Sequence, residues 1–384
     1  MTRSGSIEGS RAGDGAVAVR AVRGRADLRR FLRLPRRIYR SNPAWVPPLD
    51  VERRAFLDRR RNPFFRHSDA ELLLAERDGE PVGRIAAIEN RRHLETYGDR
   101  TGFFGLFESI DDPEVARALV ASAAEWVRAR GLVRLRGPAS FTINDECGLL
   151  LDAFELPPAF LMAYNPPYYT RLLEGCGFRK AQDLLAFRMN VPPSVPPELA
   201  AVARAAERDG VVVRKADFGR LDEEVKLIHR IHSRAWAENW GAVPLTEEEI
   251  AVLARELLPY ADRDLVLLAE REGQPIGVAV TVPDFNRALA AARGRLLPFG
   301  WLAILRQRRR IDSVRVLILG VLREHRHRGV DAALYARMIE EARRKGYRWG
   351  ELSWILESNR PMLAVLERFG AERYKTYRIY DLEL

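Results

Sequence analysis

Cysteine and lysine are both scarce in this chain. Its two cysteines, Cys147 and Cys176, lie 29 residues apart and form no Cys-x-x-Cys pair. That excludes a disulfide framework and a cysteine zinc site, and it suits a reducing compartment. His229 and His232 share a helix face, but no cysteine or ordered carboxylate pattern stands near them, so no metal is expected. No apolar run approaches the roughly 18 residues that a membrane-spanning helix needs, and the N-terminus carries no apolar signal core. The expectation is a cytoplasmic location, with room for a peripheral position on the inner face of the cytoplasmic membrane. Lysine supplies only five of the 63 basic residues, an arginine bias that often follows base composition rather than a task. The net charge of +10 and the pI near 9.9 still favour anionic partners such as phosphate groups or anionic lipid. No helix-turn-helix or aromatic strand signature accompanies the charge, so nucleic acid is not expected.

What is present is a chain of 384 residues, 47% hydrophobic and 30% charged, long enough for two domains. Residues 1–16 are rich in Gly, Ser and Arg and read as disordered. Arg25–Arg40 reads as a helix with Phe31, Leu34 and Ile38 on its apolar stripe, and Asp78-Gly79 marks a hairpin. The stretch Leu72-Leu-Leu-Ala-Glu-Arg-Asp-Gly79-Glu-Pro81-Val-Gly83 recurs as Val266-Leu-Leu-Ala-Glu-Arg-Glu-Gly273-Gln-Pro275-Ile-Gly277, at an offset of 194. Leu173-Glu174 before Gly177 returns as Leu366-Glu367 before Gly370 at an offset of 193, and Asn165 echoes Asn359. Two matches at nearly one offset imply a tandem repeat of an α/β unit with a mixed sheet. The expected division is residues 17–191, a proline-marked linker and lead-in over 192–210, and residues 211–384.

The second unit is organised around Ser313–Gly346. A β-branched, leucine-rich strand runs into Arg323-Glu-His-Arg326-His327-Arg328-Gly329-Val330-Asp331, and an amphipathic helix follows. A strand entering a basic, glycine-bearing turn at a helix N-terminus is a phosphate cradle. Unpaired N–H groups and the helix dipole converge there, and arginines add charge. The first unit has Ser109-Ile-Asp111-Asp112-Pro113-Glu114 at the matching place, where three carboxylates repel a pyrophosphate. It is expected to be a cofactor-free partner that shapes the acceptor side and keeps one polar cluster, Asn144-Asp145-Glu146. Beyond the cradle come a strand at Trp349–Leu356, then Glu357-Ser-Asn359, a short helix ending at Gly370, and a final strand.

This order resembles the GNAT acyltransferase superfamily. Arg326-His-Arg-Gly329-Val-Asp331 is similar to its Arg-x-x-Gly-x-Gly/Ala pyrophosphate motif, with Asp331 standing where glycine or alanine is usual. Asn359 matches the asparagine that commonly touches the pantetheine arm. The tyrosine usual seven residues later is Leu366, so the customary general acid is missing. In this class the region of His232, Trp236, Asn239 and Trp240 lines the acceptor pocket. Residues 285–311 are an insertion with seven arginines and no acid. Phe299 and Trp301 lie among leucines before Arg308-Arg309-Arg310, the composition of an interfacial segment, or else of a helix docked on the protein's own core.

Asn144-Asp-Glu146, Pro283-Asp284-Phe-Asn286, Trp354-Ile-Leu-Glu357-Ser-Asn359 and Lys375-Thr-Tyr377-Arg-Ile-Tyr380 together resemble the bacterial ceramide synthase-like tandem GNAT proteins, from about Ala18 onward. The resemblance implies acyl-CoA-dependent N-acylation of a long-chain sphingoid base. Amide formation needs a base for the ammonium, an N–H for the oxyanion and an acid for the thiolate. Glu357 is the first candidate base and Glu146 the second. Backbone N–H groups near Val321 and Leu322 serve the oxyanion, and Tyr374 and Tyr377 are candidate acids. Asn144, Asp284 and Asn286 are candidate acceptor contacts. The alternatives left open are a GNAT acetyltransferase acting on a small soluble amine and a non-enzymatic basic binding protein.

Overall fold

The computed structural model describes residues 15–384. The expected disorder over residues 1–16 lies outside the described residues except at Gly15 and Ala16, which join no helix or strand. In chain order the first unit has β1 (Ala18–Ala21), α1 (Gly24–Ile38), α2 (Asp50–Phe56), β2 (Asp69–Arg77), β3 (Glu80–Glu89), α3 (Arg91–Tyr97), β4 (Thr101–Ser109), α4 (Pro113–Arg128), β5 (Arg134–Gly137), β6 (Leu149–Leu150), α5 (Tyr169–Gly175) and β7 (Arg179–Asn190). The stretch 192–210 carries a helix, α6 (Pro197–Arg208), which buries Leu199, Ala203 and Ala206. The second unit repeats the order: β8 (Val211–Lys215), α7 (Leu221–Ala235), α8 (Glu247–Leu257), β9 (Val266–Arg271), β10 (Gln274–Pro283), α9 (Asn286–Ala292), α10 (Gly300–Arg308), β11 (Ser313–Val321), α11 (Val330–Arg344), β12 (Trp349–Leu356), α12 (Arg360–Arg368) and β13 (Glu372–Glu383).

Local chemistry explains the repeated parts. At both hairpins the two turn residues take positive φ, Asp78 with Gly79 and Glu272 with Gly273, the geometry that matches strand twist and favours a glycine. α4 starts on Asp112, whose side chain accepts from the Glu114 N–H, and on Pro113, which gives up no needed donor. Three alanines and four valines or leucines of α4 are buried against the first unit's sheet.

One mixed sheet runs in the order β1-β2-β3-β4-β5-β13-β7-β12-β11-β10-β9-β8, with β6 also on β13. The order is symmetric about the β13–β7 pair, so the repeat relates the two halves approximately by a two-fold. The last strands are exchanged. β13 pairs with β5 through Tyr380↔Gly137 and Leu382↔Leu135, while β7 pairs with β12 through Phe187↔Leu352 and Leu185↔Ile355. Side-chain alternation then carries Tyr380 into the first unit's core, and Leu185 with Phe187 into the second's. Leu184, Ala186, Tyr377 and Ile379 point to the opposite face, into a core shared by α1, α2 and both halves.

Candidate active site

β11 and β12 run parallel but pair only from Ser313↔Trp349 to Val316↔Leu352. Beyond that point β12 follows β7, and the strands diverge into a fork between Leu317–Val321 and Ser353–Leu356. The fork opens on a cavity of about 1370 Å³ whose wall continues into the first unit at Phe31, Phe56, Leu106 and Phe107. Strand parity sets what faces the fork. The Leu322 N–H donates to the Ile276 carbonyl of the neighbouring strand, so alternation turns the Val321 backbone toward the gap instead. Of the two expected oxyanion donors, Val321 stays in place and Leu322 is already engaged. The matching gap in the first unit is plugged. Ala139 N–H donates to Phe104 carbonyl, and a Cβ on Gly105 or Gly137 would run into the crossing backbone.

At the mouth of the fork, Gly329 adopts φ +74° and leads into α11, whose N-terminus has no side-chain cap. The first-turn N–H groups therefore have no helical or capping acceptor, and the dipole favours an anion. A Cβ on Gly329 would lie 3.0 Å from Val202 Cγ1 and 3.1 Å from its carbonyl, so α6 closes the loop from below. His327 and Arg328 are exposed on the loop, and Val330 is buried beneath it. Arg323 pairs with Glu238 at 2.5 Å. Arg326 turns inward, donating to the Val321 and Ala235 carbonyls at 3.2 and 2.8 Å, so it braces the loop. Asn359 caps α12 by accepting from Met362 N–H and also lines the cavity. The corresponding helix start in the first unit is capped by Asp112, and Arg77 pairs with Asp112 and Glu114. The second helix start leaves its N–H groups free for an anion, whereas the first is already occupied by a carboxylate.

Comparison with known proteins agrees with this geometry. Residues 225–371 match the Acetyltransferase (GNAT) family. A Caulobacter vibrioides protein, "Bacterial ceramide synthase", is 37% identical over 96% of this chain and 98% of its own length. Escherichia coli "Protein YghO" is 35% identical over 95% of each. The chain belongs to the bacterial ceramide synthase-like GNAT acyltransferases. The fold agrees with a solved tandem GNAT protein from the clavulanic acid biosynthesis pathway, at TM-score 0.59 and 16% identity over 96% of this chain and 98% of that one.

As a GNAT N-acyltransferase it takes an acyl-CoA co-substrate, and the cradle and fork are where the residues fit one. The candidate catalytic groups are redistributed. Glu357 does not line the cavity. It accepts from Lys180 Nζ at 2.7 Å, Asp183 N–H at 3.1 Å and Gln182 Nε2 at 3.3 Å on the other side of β12, so the base role assigned to it is withdrawn. The physical cause is a register shift between Leu352 and Ile355, which reverses side-chain parity over the end of β12. Tyr377 is fully buried among core side chains with burial holding its hydroxyl well above the usual range, and it cannot reach the thiolate. Tyr374 donates to Glu351, within a buried set of Glu351, Ser353 and Arg315, and lies off the cavity wall. Glu146 does line the cavity but is paired with Arg53.

On the acceptor side, α7 ends at Ala235. The turn that follows frees Trp236, Asn239 and Trp240 to line the cavity, with His232 stacked on Trp236 at 4.6 Å. Burial pushes the His232 imidazole down to about 4, so it is neutral at neutral pH. Gly320 lies against the Trp236 ring, and no larger residue fits there. Asn144 donates to the Val243 carbonyl at 3.0 Å and joins the halves. Asp284 accepts from Phe160 N–H at 2.9 Å, and Asn286 donates to the Pro158 and Ala159 carbonyls. Both clamp one half to the other, and only Asn286 reaches the wall. The residue that sequence reasoning passed over is Asp145, between two chosen neighbours. Burial pushes its carboxyl up to about 7. No pattern distinguishes it from Glu146, and both are half-buried; the difference is that Arg53 pairs with Glu146.

The insertion forms α9, which helps line the cavity through Asn286 and Leu289, and α10, which buries none of its residues. Phe299 and Trp301 are 74% and 52% exposed beside exposed Leu297, Leu302 and Leu305, with Arg308, Arg309 and Arg310 exposed at the end. Among the described residues no helix is long and apolar enough to cross a membrane, and no group of three His, Cys, Asp or Glu is placed to hold a metal ion.

Proposed function

We propose that this N-acyltransferase joins a long-chain acyl group from CoA to the amine of a long-chain sphingoid base, giving a ceramide-type amide, while resting on an anionic membrane surface. The observation that carries the reading is the cavity. At about 1370 Å³ it exceeds the roughly 300–1,000 Å³ of ordinary small-molecule pockets, and its wall is mostly aliphatic and aromatic on both sides of the fork. An acetyl group and a small soluble amine need no such volume. The apolar face of α10 stands next to α9, which borders the cavity, so a lipid could pass from a bilayer to the fork without crossing water. The arginines of the insertion would meet anionic headgroups at about 1 kcal/mol each. The name of the Caulobacter relative supports the same acceptor class.

The test is acylation by the purified protein of sphinganine and of a small polyamine, with palmitoyl-CoA and acetyl-CoA. Sphinganine with palmitoyl-CoA should be preferred by orders of magnitude, and acetylation of the polyamine alone would overturn the reading. For the membrane, cosedimentation with anionic vesicles should exceed that with neutral ones and weaken with salt. Replacing Phe299 and Trp301 by Ser, or Arg308, Arg309 and Arg310 by Gln, should reduce it. Binding indifferent to all five residues would remove the surface role.

A further inference from the structure

The loop from Thr142 to Cys147 belongs to the first unit but faces the second. Asn144 ties it to Val243, and Ile143 Cδ1 lies against Gly241. Within it Asp145 lines the cavity, one carboxylate oxygen accepting from Thr142 N–H at 3.2 Å and from Thr142 Oγ at 2.9 Å. The other oxygen has no such partner. Four other carboxylates on the same wall are matched with arginines, Glu146 with Arg53, Asp50 with Arg36, Glu238 with Arg323 and Glu108 with Arg84, while Glu52, Glu256 and Asp331 line it without an ion pair but belong to α2, α8 and α11 rather than to this loop. Asp145 has no ion-pair partner among the described residues. Asp145 and Cys147 line the same cavity as Arg315, Val321 and Ser353 of the fork. Arg315 is the last β11 residue but one to pair with β12 before the strands part.

We propose that Asp145, supplied by the unit that holds no CoA, is the general base for acyl transfer in the fork of the other unit. The inference rests on the chain's being a GNAT N-acyltransferase and not on the lipid acceptor. The free carboxylate oxygen takes one proton from the acceptor ammonium. The nitrogen lone pair forms the C–N bond at the thioester carbon, and the carbonyl π pair moves to oxygen at the Val321 N–H. Collapse re-forms the carbonyl and breaks the C–S bond, whose electron pair leaves on sulfur. The remaining surplus N–H proton neutralises the thiolate, and Asp145 returns its proton to solvent. The net products are one amide, one CoA thiol and one proton.

Burial is the main reason the Asp145 carboxyl is pushed up to about 7, and Glu249 from α8 and neighbouring Glu146 push the same way, while the Thr142 hydrogen bonds oppose them. Arg53 on α2 is near enough to feel the Asp145 charge. A carboxylate poised there is half ionised where an amine acceptor must be deprotonated, which suits general-base work.

Asp145→Asn should lower kcat about 100-fold or more, with KM for acyl-CoA changed less than about threefold. In the wild type, kcat/KM should fall below about pH 7 with a single proton; the variant should lose that limb. Asp145→Glu should restore part of the rate and the limb, and Thr142→Val should move the limb to higher pH by removing a donor to the carboxylate. Glu357→Gln, off the cavity, should stay near wild type. Independently of turnover, infrared difference spectra should show a carboxyl titrating near pH 7 that is lost in Asp145→Asn. Turnover above half of wild type with the limb intact, or no such titrating carboxyl, overturns the proposal. If Asp145→Asn fails to fold, the Thr142→Val limb and the infrared band of the wild type decide alone: an unmoved limb or a missing band refutes it.

Discussion

Cutting the chain at residue 192 tests the exchanged strands. A fragment of residues 192–384 would keep the cradle, the fork and α11, yet lose β7. Leu185 and Phe187, 7% and 5% exposed, would leave its core, and at about 1.5–3 kcal/mol for each fully buried side chain that costs about 3–6 kcal/mol. β13 would lose both neighbours, β5 and β7, exposing Tyr377, Ile379 and Tyr380, each now fully buried, for a further amount of the same size or more. The sum, on the order of 10 kcal/mol, equals the whole stability of a typical domain. The fragment alone should aggregate or melt without a sharp transition, since β12 and β13 also become bare edges. Co-produced fragments 1–191 and 192–384 should copurify in equal amounts and bind CoA thioesters like the intact chain. Size-exclusion chromatography, thermal circular dichroism and CoA titration read this directly. A monomeric 192–384 fragment that melts cooperatively and binds CoA with full affinity would refute the reasoning.

Three further outcomes are expected. Glu351→Ala strips the carboxylate from buried Arg315 and Lys375, whose ammonium burial pushes down to about 8, and should cost about 3–5 kcal/mol in thermal or denaturant unfolding. His232 is held neutral in the fold, with its proton affinity depressed from 6.5 to about 4, so the unfolded chain binds the proton first; stability should be full above about pH 6.5 and be lost as pH falls toward 4. Replacing His232 by Gln should flatten that part of the stability profile, measured by urea midpoints. Gly329→Glu sets a carboxylate and a strained φ of +74° at the helix start, and should weaken CoA-thioester binding by more than about tenfold, or about 1.4 kcal/mol. Asp112→Ala at the matching place in the first unit should leave that affinity unchanged, as isothermal titration would show.

Much of the fold is legible because it is written in local terms. Periodicity and turn chemistry place α11, β12 and the two hairpins within a residue or two, and the recurrence at an offset of 194 announces the doubled topology. The basic glycine turn and the Asp112–Pro113 start are opposite chemistries at one helix end, and that contrast is readable without coordinates. Ladder hydrogen bonds carry no such label. A backbone edge accepts any strand, so whether β13 returns to its own half or fills the other depends on how the two cores pack together. Side-chain parity is likewise a property of register. The shift at Leu352/Ile355 turned Glu357, a residue with the right chemistry in the right place along the chain, toward Lys180 and away from the fork. Asp145 and Glu146 are adjacent carboxylates in one loop, and no pattern ranks them. Folding sets Arg53 against one and leaves the other half-buried without an ion-pair partner, because burial and charge are decided by elements far away in the chain, α2 and α8.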